Sequence, residues 1–202
     1  LSAQNPFEVA KDHYTLEFEN EWVRISRVTY GPHETAPVHD HPSVPAVYIY
    51  TTDGGPILFK HDQIGNIRTP AVKAGQLRYA RPNRERHDVE YLGDIATEYL
   101  RIELKTEPLG IPPRDFRSAL DSHSADASFS KVDFENGQLR IVRQYCAPNA
   151  SCTPNDDTSI PVIMVSLRKR QFRWIAPGSQ PSIEEPGDYV RLELRSKPVL
   201  NP

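Results

Sequence analysis

Three histidines, His39, His41 and His87, are the residues of this 202-residue chain best suited to carry chemistry. One residue separates His39 from His41. On an extended chain, residues two apart face the same side, roughly 6.5–7 Å from one another. Two imidazoles so placed can both reach one metal ion through bonds of about 2.0–2.1 Å. The plain alternative is a pair of exposed loop histidines. Histidines occur at 13, 33, 39, 41, 61, 87 and 123, and none lies beyond that point. Glu85, Glu98 and Glu103 are conceivable replacement ligands or bases, and nothing in their spacing selects one. No residue stands out as a general base, so no catalytic residue is assigned. A glycine-rich phosphate loop, a Gly-x-Ser-x-Gly elbow and an HExxH helix are all missing from the sequence.

The elements that must position these side chains come from an internal repeat. Leu16 to Tyr30 (LEFENEWVRISRVTY) matches Val132 to Cys146 (VDFENGQLRIVRQYC) at an offset of 116, with six of fifteen positions identical. Arg101 to Pro108 (RIELKTEP) matches Arg191 to Pro198 (RLELRSKP) at an offset of 90. Two matches in the same order read as a duplication, with 26 residues fewer between the anchors of the second copy. Arg101 and Arg191 recur, which argues for a shared structural role such as an ion pair with a neighbouring strand.

Within each copy the local pattern is that of strands. Leu100, Ile102 and Leu104 alternate with Tyr99, Arg101 and Glu103, and Val190, Leu192 and Leu194 do the same. Ala46 to Tyr50 is a continuous run of branched and aromatic residues, expected as a strand buried on both faces. Asp53-Gly54-Gly55, Gly65-Asn66 and Gly93-Asp94 punctuate the runs as turns. The fold class is therefore all-β, with two small antiparallel barrels in tandem. Their expected extents are 1–108 and a shortened 129–202, joined by a connector over 109–128 with one short helix near Asp115 to Leu120.

Composition narrows the function classes. The 24 basic and 27 acidic side chains leave a formal charge of −3, which argues against a broad nucleic-acid surface. No run of about 18 apolar residues exists, so no membrane-spanning helix is expected. With 19 prolines and 10 glycines the chain is heavily punctuated, against long helices. Cys146 and Cys152 are close enough in sequence for a small local bridge, but two free thiols is the preferred reading, because spacing alone does not supply the geometry a bridge needs. Leu1-Ser2-Ala3-Gln4 reads as the small-residue end of a secretory cleavage site, which favours an exported or periplasmic protein over a cytoplasmic one.

Gly31 to Pro42 (GPHETAPVHDHP) resembles the first sequence motif of the cupin superfamily, in which a glycine precedes HxH by five intervening residues. Gly75 to His87 (GQLRYARPNRERH) resembles the second motif, a glycine, a proline region and then a histidine. With the duplication, nearly the whole chain resembles a bicupin, a tandem of double-stranded β-helix (jelly-roll) barrels. The resemblance implies a metal held by three histidines and a glutamate, here matched by His39, His41 and His87. It departs at four places. His33 stands where the family has its glycine. Pro82 sits one place late, and Arg84 replaces the glycine after it. The glutamate expected after His41 is missing, its place taken by Pro45 or Ala46.

Three neutral ligands would leave a divalent ion its full charge and favour an anionic small-molecule ligand. Fe, Zn, Ni, Mn and Cu all remain candidates, since imidazole discriminates weakly among them. Tyr48 and Tyr50 line the pocket if Ala46 faces inward, and Val47 and Ile49 do if Pro45 does. One of Arg78 and Tyr79 is also expected to face inward. In the second copy Asn155 and Asp157 replace His39 and His41, so that copy is expected to be metal-free. The resemblance implies a metal-dependent, dioxygenase-like enzyme acting on a small organic molecule. The rival is a non-catalytic ligand-binding or structural module, and a homodimer is expected from the way cupin sheets pair.

Overall fold

The computed structural model describes residues 4–62, 64–83, 85–120, 122–152 and 157–199. Leu1, Ser2, Ala3, Arg84 and Asn155, each used in the sequence reading, lie outside the described residues. The chain divides into two compact units. The first comprises 1–105, 112–117 and 198–202, and the second 106–111 and 118–197.

The first unit begins with a single-turn helix, α1 (Pro6–Val9), capped by the Asn5 side chain, which accepts from the Phe7 amide. Ten strands follow: β1 (Tyr14–Glu19), β2 (Val23–Tyr30), β3 (Thr35–His41), β4 (Ala46–Tyr50), β5 (Ile57–His61), β6 (Gly65–Thr69), β7 (Leu77–Ala80), β8 (Glu85–Tyr91), β9 (Thr97–Leu104) and β10 (Phe116–Arg117). They form two antiparallel sheets, one in the order β1-β2-β9-β4-β7-β10 and the other in the order β3-β8-β5-β6. Every residue of the central strand β4 is buried, as its unbroken apolar run requires. A cluster of buried side chains drawn from both sheets fills the interior, including Tyr14, Tyr30, Ala46, Tyr48, Tyr50 and Tyr99 from the larger sheet and Ala36, Val89 and Tyr91 from the smaller. Among the described residues, the short helix is thus at Pro6–Val9, not in the connector. Phe116–Arg117 pairs with Arg78–Tyr79 and extends the larger sheet instead.

The second unit contains β11 (Phe129–Glu135), β12 (Leu139–Cys146), β13 (Val162–Ser166), β14 (Gln171–Ile175) and β15 (Gly187–Leu194), in the order β11-β12-β15-β13-β14. That is the order of β1-β2-β9-β4-β7, strand for strand. Among the described residues, β5, β6 and β8 have no counterpart, and most of the 26-residue contraction falls between β4 and β7, where β5 and β6 lie. The strand corresponding to β7 persists, and the one corresponding to the His87 strand is gone.

The residues identical in the two copies explain themselves as scaffold. Asn20 and Asn136 each accept two amides of the hairpin that follows, from Trp22 and Val23 and from Gln138 and Leu139. A bulge falls at Glu17 in β1 and at Asp133 in β11. Each bulged acid meets the repeated arginine: Glu17 with Arg27 at 3.0 Å and Asp133 with Arg143 at 2.9 Å. Arg24 and Arg101 both reach Glu103, as Arg140 and Arg191 both reach Glu193.

Cys146 and Cys152 are joined in a disulfide, their Cα atoms 5.8 Å apart, so the free-thiol reading is corrected. The end of β12 and the loop after it bring the two residues within the Cα separation a bridge needs, which their spacing alone could not show.

Candidate metal centre

His39 and His41 lie on β3 at the edge of the smaller sheet, and His87 on its neighbour β8. Simple alternation would put Ala36 and His39 on opposite faces. A one-residue bulge at Pro37–Val38 shifts the register, so both face the interior and His39 pairs directly with His87. Proline suits that position, since a bulge on an edge strand asks for no ladder amide. His39, His41 and His87 are 0%, 6% and 3% exposed. Their rings lie 4.8–5.5 Å apart by centroids, and one nitrogen from each falls within 4.8 Å of the others.

Partners around the rings fix which nitrogens are free. His39 Nδ1 lies 2.7 Å from the Pro37 carbonyl, so it carries the proton and Nε2 keeps the lone pair. His41 Nδ1 lies 3.6 Å from Glu103 Oε1, longer than a hydrogen bond, so the carboxylate sits on the Nδ1 side of the ring. Among the described residues, neither ring nitrogen of His87 has a hydrogen-bond partner, although both are buried. An orphaned buried polar atom costs about 1–3 kcal/mol. An ion bound at His87 would relieve that cost, so these three residues fit a metal.

Burial holds all three imidazoles below the usual histidine range, with the buried Arg101 cation acting in the same direction. His87 is pushed down to about 2. They are therefore neutral lone-pair donors at neutral pH, the form a metal requires.

The missing glutamate has a neighbouring substitute of another kind. Ala46, on the cupin glutamate's four-residue spacing, pairs in register with Glu103 of β9. Glu103 is 5% exposed and ion-paired to Arg101 at 3.2 Å and Arg24 at 3.5 Å. Its carboxylate thus faces His41 from behind instead of joining the three imidazoles. Glu85 is bound to Arg101 at 3.2 Å, and Glu98 to Arg27 at 2.7 Å.

Ala46 faces inward with Tyr48 and Tyr50, and Val47 and Ile49 do not belong to the interior cluster. The Tyr48 hydroxyl accepts from Arg101 Nη1 at 2.5 Å, and the Arg78 guanidinium lies 5.3 Å from the Tyr48 ring centroid. Arg78 pairs in register with Tyr48, whereas Tyr79 pairs with Val47 and so faces the other side of the sheet. Tyr79 is therefore removed from the pocket. A residue outside both motifs joins the site: Tyr14, 4% exposed, whose hydroxyl lies 3.2 Å from His39 Nε2. Burial pushes that hydroxyl well above the usual tyrosine range, making it a neutral donor into the lone pair of His39.

A cleft of about 530 Å³ is lined by His41 and Glu103, with His39 and His87 outside its lining. Arg24, Leu16, Phe7 of α1 and Ser43 line it as well. It is large enough to take a small molecule.

No protein-family model matches the chain, and no curated protein matches it. Solved structures do. The bacterial pirin YhhW from Escherichia coli, solved in complex with nickel(II), is 10% identical with a TM-score of 0.60, over 91% of each chain. The protein Ylba from E. coli is 10% identical with a TM-score of 0.57, over 94% of this chain and 90% of that one. A salicylate 1,2-dioxygenase from Pseudaminobacter salicylatoxidans is 12% identical with a TM-score of 0.52, over 92% and 77%. Likeness at these identities is likeness of fold. The chain has the all-β bicupin fold, with a buried three-histidine cluster in its first unit.

Proposed function

We propose that the first unit binds one divalent transition-metal ion on His39, His41 and His87 and acts there on a small, anionic organic molecule admitted through the cleft. The observation that carries this reading is the convergence of three buried imidazole donors within 4.8 Å, with both nitrogens of His87 unpaired. The nickel complex of YhhW and the oxidative activity named for the salicylate dioxygenase support the same reading by analogy of fold.

Each neighbouring group has a role. The Pro37 carbonyl holds the protonated nitrogen of His39, which leaves its Nε2 lone pair for the centre, and the Glu103 carboxylate lies on the Nδ1 side of the His41 ring. The interior tyrosines fill the barrel behind the centre and exclude bulk water. Arg24 lines the cleft, where it is ion-paired to Glu19 at 3.0 Å and to Glu103 at 3.5 Å. A bound ion would supply Lewis acidity, and oxygen chemistry if it is redox-active. Neutral ligands leave its charge for the substrate. We further propose that the chain works in an oxidising compartment, a reading that the Cys146–Cys152 bond supports.

Elemental analysis of untagged protein tests the reading. One transition metal per chain is expected, and none in a His39→Ala, His87→Ala double variant. An unchanged metal content in that variant rejects the assignment. Oxygen uptake with small organic acids then tests the oxidative step.

A further inference from the structure

β3 is an edge strand, and it carries two of the three clustered imidazoles. Its pairing with β8 at the centre is short. The bulge at Pro37–Val38 interrupts the ladder just before His39, and Pro42 follows His41. Beyond the bulge only His39, Asp40 and His41 are in register, opposite His87, Arg86 and Glu85. A short ladder with one flank unpaired opens locally at little cost. We propose that Gln4, Asp40 and Arg86 form a clamp that positions the HxH ligands. This rests on the three-histidine reading above and adds to it residues that touch no ion.

Four hydrogen bonds close the clamp. The Asp40 amide donates to the Gln4 carbonyl at 2.8 Å, and the Gln4 amide donates to Asp40 Oδ2 at 2.7 Å. Arg86 Nη1 donates to the same oxygen at 2.7 Å, and its Nη2 donates to Gln4 Oε1 at 3.2 Å. Alternation puts Asp40 and Arg86 on the face of the sheet opposite the imidazoles. Asp40 lies between His39 and His41, and Arg86 directly precedes His87. Bonds made at Asp40 therefore fix the backbone that carries both members of the HxH pair. Gln4 supplies the neighbour that the edge strand lacks.

The segment that brings Gln4 is itself anchored. Asn5 caps α1, Phe7 packs against the interior cluster, and Ala10 is buried within it. The Ala10 carbonyl accepts the amides of His13 and Tyr14, where β1 begins. Gln4 is thus tied through β1 to the larger sheet and through Asp40 to the ligand-bearing strand of the smaller one. Gln4 to Phe7 also line the cleft beside His41.

Cobalt(II) is the probe, because imidazole donors bind it and the bound ion absorbs visible light. Full-length wild type, Asp40→Ala, Asp40→Asn and Gln4→Pro are titrated with it, and amide hydrogen exchange is followed in the metal-free proteins. Asp40→Ala opens the clamp and should bind cobalt(II) about tenfold more weakly, since apparent affinity falls with the fraction of competent strand. Its amides at 39–41 should exchange about tenfold faster, with those of β4 unchanged. Both bonds to the Asp40 carboxylate fall on one oxygen, which an asparagine carbonyl can replace. Asp40→Asn should therefore recover most of the affinity. Gln4→Pro removes the Gln4 amide proton and side chain without changing any charge, and should weaken binding at least about threefold. Gln4 lies outside every strand, so this variant decides the matter even if Asp40→Ala does not fold.

Asp40→Asn binding as weakly as Asp40→Ala, with Gln4→Pro like wild type, would mean that only the charge near the ion counts, and overturns the clamp. Unchanged exchange at 39–41 in Asp40→Ala overturns it too, and either result leaves the three histidines standing. Wild type that takes up no cobalt(II) overturns the metal reading and the clamp with it.

Discussion

His39 and His87 are direct cross-strand partners, their rings 4.8 Å apart, and the bulge at Pro37–Val38 is what aligns them. The same bulge turns the Pro37 carbonyl onto His39 Nδ1. One local irregularity thus sets both the position and the tautomer of a ligand. Because β3 is an edge strand, an extra residue there disturbs only one ladder.

Glu103 and Glu193 occupy matching places, but only Glu103 lies beside a histidine. Glu103→Gln should weaken metal binding by about 10–100-fold, the usual cost of losing a ligand's outer carboxylate. Glu193→Gln should leave it unchanged. Each substitution breaks charge-assisted contacts and should cost about 1–3 kcal/mol of stability. Calorimetric metal titration alongside thermal melting separates the two effects, and equal metal affinities in the two variants would count against the orienting role.

Acid should destabilise the metal-free protein through the buried histidines. Their folded-state affinities for protons are lowered, while the unfolded chain takes up protons near the ordinary value of about 6.5. The stabilising contribution is therefore complete above about 6.5 and declines as pH falls, by about 1.4 kcal/mol per unit for each such group. For His87 the decline continues down towards about 2. Urea midpoints should drop between about pH 6.5 and 5, and less steeply in His87→Gln. Parallel slopes for the two proteins would contradict this assignment.

Reducing the Cys146–Cys152 bond removes a short loop constraint and should cost about 2 kcal/mol. Melting with and without dithiothreitol measures it. Metal affinity should be the same in both states, because all three imidazoles belong to the other unit.

His33 adopts a left-handed conformation, φ 59°, at the position where the cupin motif carries glycine. Its contact with Asp94, at 2.9 Å, is between two exposed groups and contributes little. His33→Gly should raise stability by about 0.5–1 kcal/mol through relief of backbone strain. A lower melting temperature would show that the Asp94 contact outweighs the strain.

Much of this was legible in the letters. The two repeat anchors mark β1–β2 and β9 and their counterparts, and the apolar run of β4 announces a central strand. The HxH pair and the second glycine–proline–histidine stretch identify the three clustered imidazoles. Gly75, the glycine of that second stretch, has φ 87°, a left-handed conformation that glycine adopts without strain.

What escaped depended on partners far along the chain. Asp115 to Leu120 has the composition of a helix start, yet Asp115 is committed to Arg78 and to the Arg81 amide, and the next two residues join β7. Tyr79 is as apolar and as strand-forming as Tyr48, and only the register tells which face it takes. Tyr14 is one of nine tyrosines and belongs to no motif. Its place at the centre follows from the pairing of β1 with β2, which aligns it with Val28.

The histidine-bearing strands β3 and β8, with β5 and β6, make up a sheet of their own, and the second unit forms the five-stranded order without β5, β6 or β8. Foundation and instrument are therefore carried by separate parts of the barrel. Chemistry can be rewritten on one sheet, by substitution or by transplanting whole strands, while the other keeps the protein upright.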